Sequence, residues 1–144
     1  MKEAITVAIG RLRGLALWSV GRAGIVWFQF GSRWIVPAAR GGAKEVGELA
    51  LHLGCPWRLI GPDSELLACD ESEPKVLAGL ASPPLHCSTA RAWEGGAFEL
   101  EFAGGERLQV EPDDPDCVEY WRLFSPHSDR PHFVVGPAGI DPEG

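Results

Sequence analysis

The chain lacks the short motifs that usually announce a reaction. Its 144 residues contain no glycine-rich phosphate loop, no Gly-x-Ser-x-Gly elbow and no His-Glu-x-x-His pair. With one tyrosine and no ordered pair of acids, glycosidase and phosphatase chemistry has nothing specific to rest on. No apolar run reaches the ~20 residues that a membrane-spanning helix needs. The longest uncharged stretch near the N-terminus, Ala23 to Ser32, is closed off by Arg22 and Arg33. A secretory leader is not expected either: Glu3 sits where basic residues belong, and Arg11 and Arg13 interrupt what would be the apolar segment. The expected setting is therefore the cytoplasm, with Cys55, Cys69, Cys87 and Cys117 as reduced thiols. No cofactor and no membrane partner are expected.

What is present suits a β protein. Six Trp and six Phe supply large rings for a core, while eighteen Gly and twelve Pro exceed what a helical bundle carries. A chain of this length buries roughly 68–70% of its unfolded surface, enough for one core without disulfide or metal. Apolar patterning reads as strands over 4–9, 15–20, 24–30, 33–36, 57–60, 65–69, 85–93, 97–102, 106–111, 120–124 and 132–135; 44–53 fits helical spacing through Val46, Leu49, Ala50 and Leu53 and strand spacing through Leu49, Leu51 and Leu53, with Gly47 favouring strand. Adjacent runs merge to leave about nine or ten short strands. Gly31-Ser32 suits a two-residue hairpin turn, with Gly at the first central position. Pro74 opens the single short helix expected. The expected fold is mainly β, an antiparallel sandwich or partly open barrel. Residues 1–135 form one domain and 136–144 a flexible C-terminal tail.

Several constellations bear on chemistry. His52, Cys55 and His132, with His86 and Cys87 nearby in type, are the candidates for a metal or thiol site: imidazole and thiolate together bind zinc, or make a nucleophile when a positive neighbour such as Arg58 or Arg91 lowers the thiol pKa. The spacing is not that of a paired Cys-x-x-Cys knuckle, and buried structural thiols are the simpler reading. No residue is assigned a catalytic role. The run Glu111 to Asp116 with Glu119 lacks the pattern of an EF-hand loop and reads as a rigid acidic turn. Arg11, Arg13, Arg22, Arg33 and Arg40 alternate with Trp18, Trp27 and Trp34, an arrangement that can hold single-stranded nucleic acid; most of these rings are expected in the core, and the acidic total opposes a polyanion. Trp57-Arg58-Leu59 and Trp121-Arg122-Leu123 place Trp and Leu on one face and Arg on the other, so Trp57 and Trp121 are the expected core anchors, with Asp63 or Glu119 as carboxylate partners for the arginines.

The net charge of −7 hides a division. Residues 1–44 hold seven bases and one acid; residues 45–144 hold six bases and nineteen acids. The simplest reading is that the two parts lie side by side and neutralise one another.

Leu51-His52-Leu53-Gly54-Cys55-Pro56-Trp57-Arg58, followed by Trp121-Arg122-Leu123-Phe124 and His132-Phe133-Val134-Val135, resembles a group of small actinobacterial proteins sharing Leu-His-x-x-Cys-Pro-Trp-Arg. The resemblance covers most of the chain and implies no activity. By size and charge alone the chain is comparable to immunity proteins, which neutralise a toxin by binding it. The functional expectation is a non-enzymatic protein-binding module whose acids Asp113, Asp114, Asp116, Glu119, Glu99 and Glu101 meet a basic protein partner. The alternatives are a small enzyme at His52, Cys55 and His132, and single-stranded nucleic-acid binding through the N-terminal Arg/Trp hairpins. Exposed strand edges also leave room for a homo-oligomer.

Overall fold

The computed structural model describes residues 1–141. It opens with a helix, α1 (Lys2–Gly10), where alternation predicts a strand. Ile5 and Ile9 belong to both periodicities; Ala8 and Leu12 decide between them. Ile5, Ala8, Ile9 and Leu12 are all buried at helical spacing, while Val7, apolar in the strand reading, is 74% exposed.

Three long strands follow: β1 (Ala16–Ala23), β2 (Ile25–Pro37) and β3 (Ala43–Leu53). The expected turn at Gly31-Ser32 is instead a bulge inside β2. Phe30 faces Leu49 and Arg33 faces Gly47, so β2 carries one residue more than β3 between these pairs. Gly31 adopts φ +82° there. Side chains satisfy the amides that the bulge disturbs: Glu48 Oε1 accepts from Ser32 N at 2.9 Å, and Gln29 Oε1 from Gly47 N at 2.8 Å. The chain reverses only at 38–42, where Gly41 and Gly42 supply positive φ of 89° and 75°.

The remaining elements are β4 (Trp57–Ile60), β5 (Leu66–Cys69), the short helix α2 (Pro74–Gly79), β6 (Leu85–Ala92), a 3-10 turn at Glu94–Gly96, β7 (Phe98–Phe102), β8 (Arg107–Val110), β9 (Trp121–Phe124), β10 (Phe133–Gly136) and β11 (Gly139–Asp141). All strand pairs are antiparallel, in one eleven-stranded sheet of order β11-β10-β9-β3-β2-β1-β6-β7-β8-β4-β5. Part of the expected tail is therefore strand: Gly136 pairs with Gly139, and Val134 with Asp141. Residues 142–144 lie outside the described residues.

β6 makes the sheet fold over. Its first residues pair with β1 and the rest with β7. Strands far apart in the sheet then meet through their rings. Phe28 of β2 contacts Trp57 of β4 edge-on at 5.2 Å, and Phe98 of β7 contacts Trp121 of β9 at 4.8 Å. Trp121 also donates its indole N–H to Gly96 O at 2.9 Å. One core results, closed below by α1 against β6. The edges β5 and β11 do not pair, so the mainly β, antiparallel architecture is a rolled sheet left open. No helix among the described residues is long and apolar enough to cross a membrane.

Candidate functional site

Strand alternation puts Trp57, Leu59, Trp121 and Leu123 in the core and turns Arg58 and Arg122 outward. Arg58, exposed, meets Glu111 at 3.3 Å and Gln109 at 2.8 Å, rather than Asp63. Arg122 has Glu119, which grips it twice, Nε to Oε2 at 2.8 Å and Nη2 to Oε1 at 2.5 Å. Its Nη1 lies 2.8 Å from His132 Nδ1. A guanidinium only donates, so Nδ1 accepts and His132 is neutral, with its proton on Nε2.

β3 and β9 bring His52 beside this group, opposite Arg122. His132 stacks on Phe124 at 4.1 Å, and His52 meets the same ring edge-on at 4.7 Å. Burial, with the Arg122 charge second, lowers the His52 pKa from 6.5 to about 4. The same two causes lower that of His132. Both imidazoles are thus neutral near pH 7 and held by neighbours. The cluster has the character of a stabilising network rather than an acid–base pair.

Cys55 is not part of it. His52 points outward from β3, whereas Cys55 is buried in the Gly54–Pro56 link that carries the chain from β3 to β4. Of the expected trio His52, Cys55 and His132, only the two histidines come together. Burial, reinforced by Cys117, Asp113 and Asp70, pushes the Cys55 thiol up to about 12. Burial pushes Cys87 to about 11, and the base acting on it is Arg13, not Arg91. Neither thiol is a poised nucleophile. All four cysteines are free, and among the described residues no three His, Cys, Asp or Glu side chains gather as a metal would need.

The N-terminal tryptophans also depart from expectation. The core side of β2 is filled by Val26, Phe28 and Phe30. Trp27 lies on the other side over Gly21, where even a Cβ would come within 2.2 Å of the indole. The Arg33 guanidinium sits 4.4 Å from the Trp18 ring centre. Trp34 is 46% exposed and stacks on His127 at 4.1 Å.

The acids divide into spent and unspent. Glu99 accepts from Gln109 at 2.9 Å and faces Arg107 at 3.8 Å; Glu119 is held by Arg122. Asp113, Asp114, Asp116 and Glu101 make no ion pair among the described residues. The charge division follows the fold: residues 54–118, which build β4 to β8, hold thirteen acids against four bases, and the rest of the chain seven acids against nine bases. Mutual neutralisation is slight. Of the seven bases in residues 1–44, only Arg33 pairs with a carboxylate among the described residues, Glu45 at 3.5 Å. Arg22 is spent on the backbone carbonyls of Asp70 and Ser72, at 2.6 and 2.8 Å.

A feature not anticipated from sequence is an open recess of about 370 Å³ between the end of α1, the β2 bulge and the β9–β10 link. The link, Ser125 to His132, is longer and more polar than a hairpin requires, the one signal the sequence offers. Compared with models of known families, with curated proteins and with solved structures, the chain matches none.

Proposed function

We propose that the protein is a non-enzymatic binding module whose residues 54–118 offer an acidic surface to a basic protein partner, as an immunity protein does to a toxin. The observation that carries this reading is the charge left over after internal pairing. Thirteen acids face four bases in this part, and two of those bases, Arg58 and Arg107, are already engaged. Three of these acids lie close together. Asp70 at the end of β5 and Asp113 of the 112–116 turn both act on the Cys55 thiol, and Asp113 and Asp114 both act on Tyr120. Surplus charge of one sign speeds encounter with a complementary partner and sets specificity more than it adds affinity. The paired histidines and protonated thiols support the non-enzymatic half of the reading.

The test is capture of host proteins at low salt on immobilised wild-type protein and on a variant with Asp113, Asp114, Asp116 and Glu101 changed to Lys. The wild type is expected to retain a basic protein that the variant does not. An identical captured set would overturn the reading. A second reading, contact with single-stranded nucleic acid, is favoured by the outward position of Trp27 and Trp34. Retardation of a single-stranded oligonucleotide at low salt, lost in Trp27→Ala/Trp34→Ala, would favour it over the first.

A further inference from the structure

The recess beside the β2 bulge holds groups that the acidic surface does not explain. Arg11, just past α1, and Arg130, in the β9–β10 link, both line it. Neither forms an ion pair or a side-chain hydrogen bond among the described residues. Two unpaired guanidiniums at one concavity repel one another and favour an anion between them; their planar donors match the oxygens of a phosphoryl group. Ser32, Ser125 and Ser128 also line the recess, and their hydroxyls add neutral donors.

The recess also holds groups of different chemistry. Trp34 lines it with one face covered by His127, and His127 Nδ1 is enclosed with no hydrogen-bond partner among the described residues. A buried polar atom left unpaired in this way points to a missing partner. Glu48, held to Ser32 N at 2.9 Å, also lines the recess. Its carboxylate disfavours a bare anion but accepts from hydroxyls. The volume lies at the small end of the roughly 300–1,000 Å³ range of ligand pockets.

We propose that this recess binds a small phosphate monoester, with the phosphoryl group between Arg11 and Arg130 and the hydroxylated remainder against Trp34 and Glu48. The site belongs to the basic part of the molecule and stands independently of the acidic surface. Arg11, Arg130, Trp34 and Glu48 all face one space of ligand size.

Ribose 5-phosphate, ribose and inorganic phosphate are the probes, titrated calorimetrically into the full chain. Ribose 5-phosphate is expected to bind one per chain and more tightly than inorganic phosphate, with ribose inert. Arg11→Gln/Arg130→Gln should weaken it about tenfold or more. Arg40→Gln/Lys44→Gln, which removes the same charge from the hairpin tip, should leave affinity unchanged. Equal weakening by both variants, or no binding at millimolar ester, would overturn the proposal; inorganic phosphate binding as tightly as the ester would overturn the role given to Trp34 and Glu48. Should the double variant misfold, the wild type alone decides through its amide NMR spectrum. Ester-induced shifts at Ser32, His127 and Ser128 support the site, and shifts that avoid them sink it.

Discussion

Two groups on the outside of this protein are built from the same parts and end in opposite conditions. Around Phe124 stand His132, Arg122 and Glu119; around Trp34 stand His127, Arg130 and Glu48. In each, an imidazole stacks on a larger ring at 4.1 Å. In the first, the guanidinium is gripped by a carboxylate and closes on the histidine. In the second, among the described residues, the arginine has no ion pair and the histidine Nδ1 no hydrogen-bond partner. Residue type does not separate a structural network from an available surface; the completeness of hydrogen bonding does.

The sharpest contrast pairs two tryptophans. Trp121→Ala removes a fully buried ring and its bond to Gly96, and should cost about 3–5 kcal/mol in urea denaturation. Trp34→Ala, at the open recess, should cost less than about 1 kcal/mol. Equal losses would remove the distinction between core and recess. Next come the arginines. Arg122→Met strands the Glu119 carboxylate and His132 Nδ1 and is expected to destabilise by about 2 kcal/mol, whereas Arg130→Met should stay within about 0.5 kcal/mol of wild type.

A pH series sharpens the same contrast. The folded pKa of His52, about 4, lies below the ordinary 6.5. The unfolded chain therefore binds the extra proton first. Stability supplied by the neutral ring is complete above pH 6.5 and declines as pH falls toward about 4. His52→Gln should flatten that decline; an unchanged slope would mean the ring is not shielded. The smallest effect concerns the thiols. With Cys55 near 12 and Cys87 near 11, iodoacetamide at pH 8 should label neither in the folded protein and both after unfolding. Mass spectrometry of the alkylated chain reads this directly.

The legible part of the molecule was the part governed by a local rule. Phe98, Leu100 and Phe102 alternate with Glu99 and Glu101, and β7 has that pattern of burial. The segment 44–53, ambiguous between helix and strand, lies in β3. Sequence and fold part where two rules share residues. Ile5 and Ile9 fit either period, so α1 read as a strand. Gly31-Ser32 fits a turn or a bulge, and the choice depends on Glu48 and Gln29, distant acceptors that make the bulge affordable. Trp27 faces outward because Val26, Phe28 and Phe30 take the core side of β2 by alternation, and the distant Gly21 leaves a shelf for its ring. The recess was the least legible feature. Its residues come from four separate segments, around Arg11, Ser32–Trp34, Glu48 and 125–130, and share no motif. The His52–Arg122–His132 group is half legible: the sequence marks both histidines but groups them with Cys55, whereas the fold sets them beside Glu119 and Phe124.

The comparison between the closed and the open group rests on one measurable difference in their imidazoles. Long-range proton–nitrogen NMR of the labelled protein at pH 7, before and after addition of ribose 5-phosphate, observes these rings together. His132 should show an unprotonated, hydrogen-bonded Nδ1 and, with His52, remain unmoved by the ester, while His127 shifts. A protonated His132 Nδ1, or an ester response at His52 and His132 with none at His127, would contradict the account.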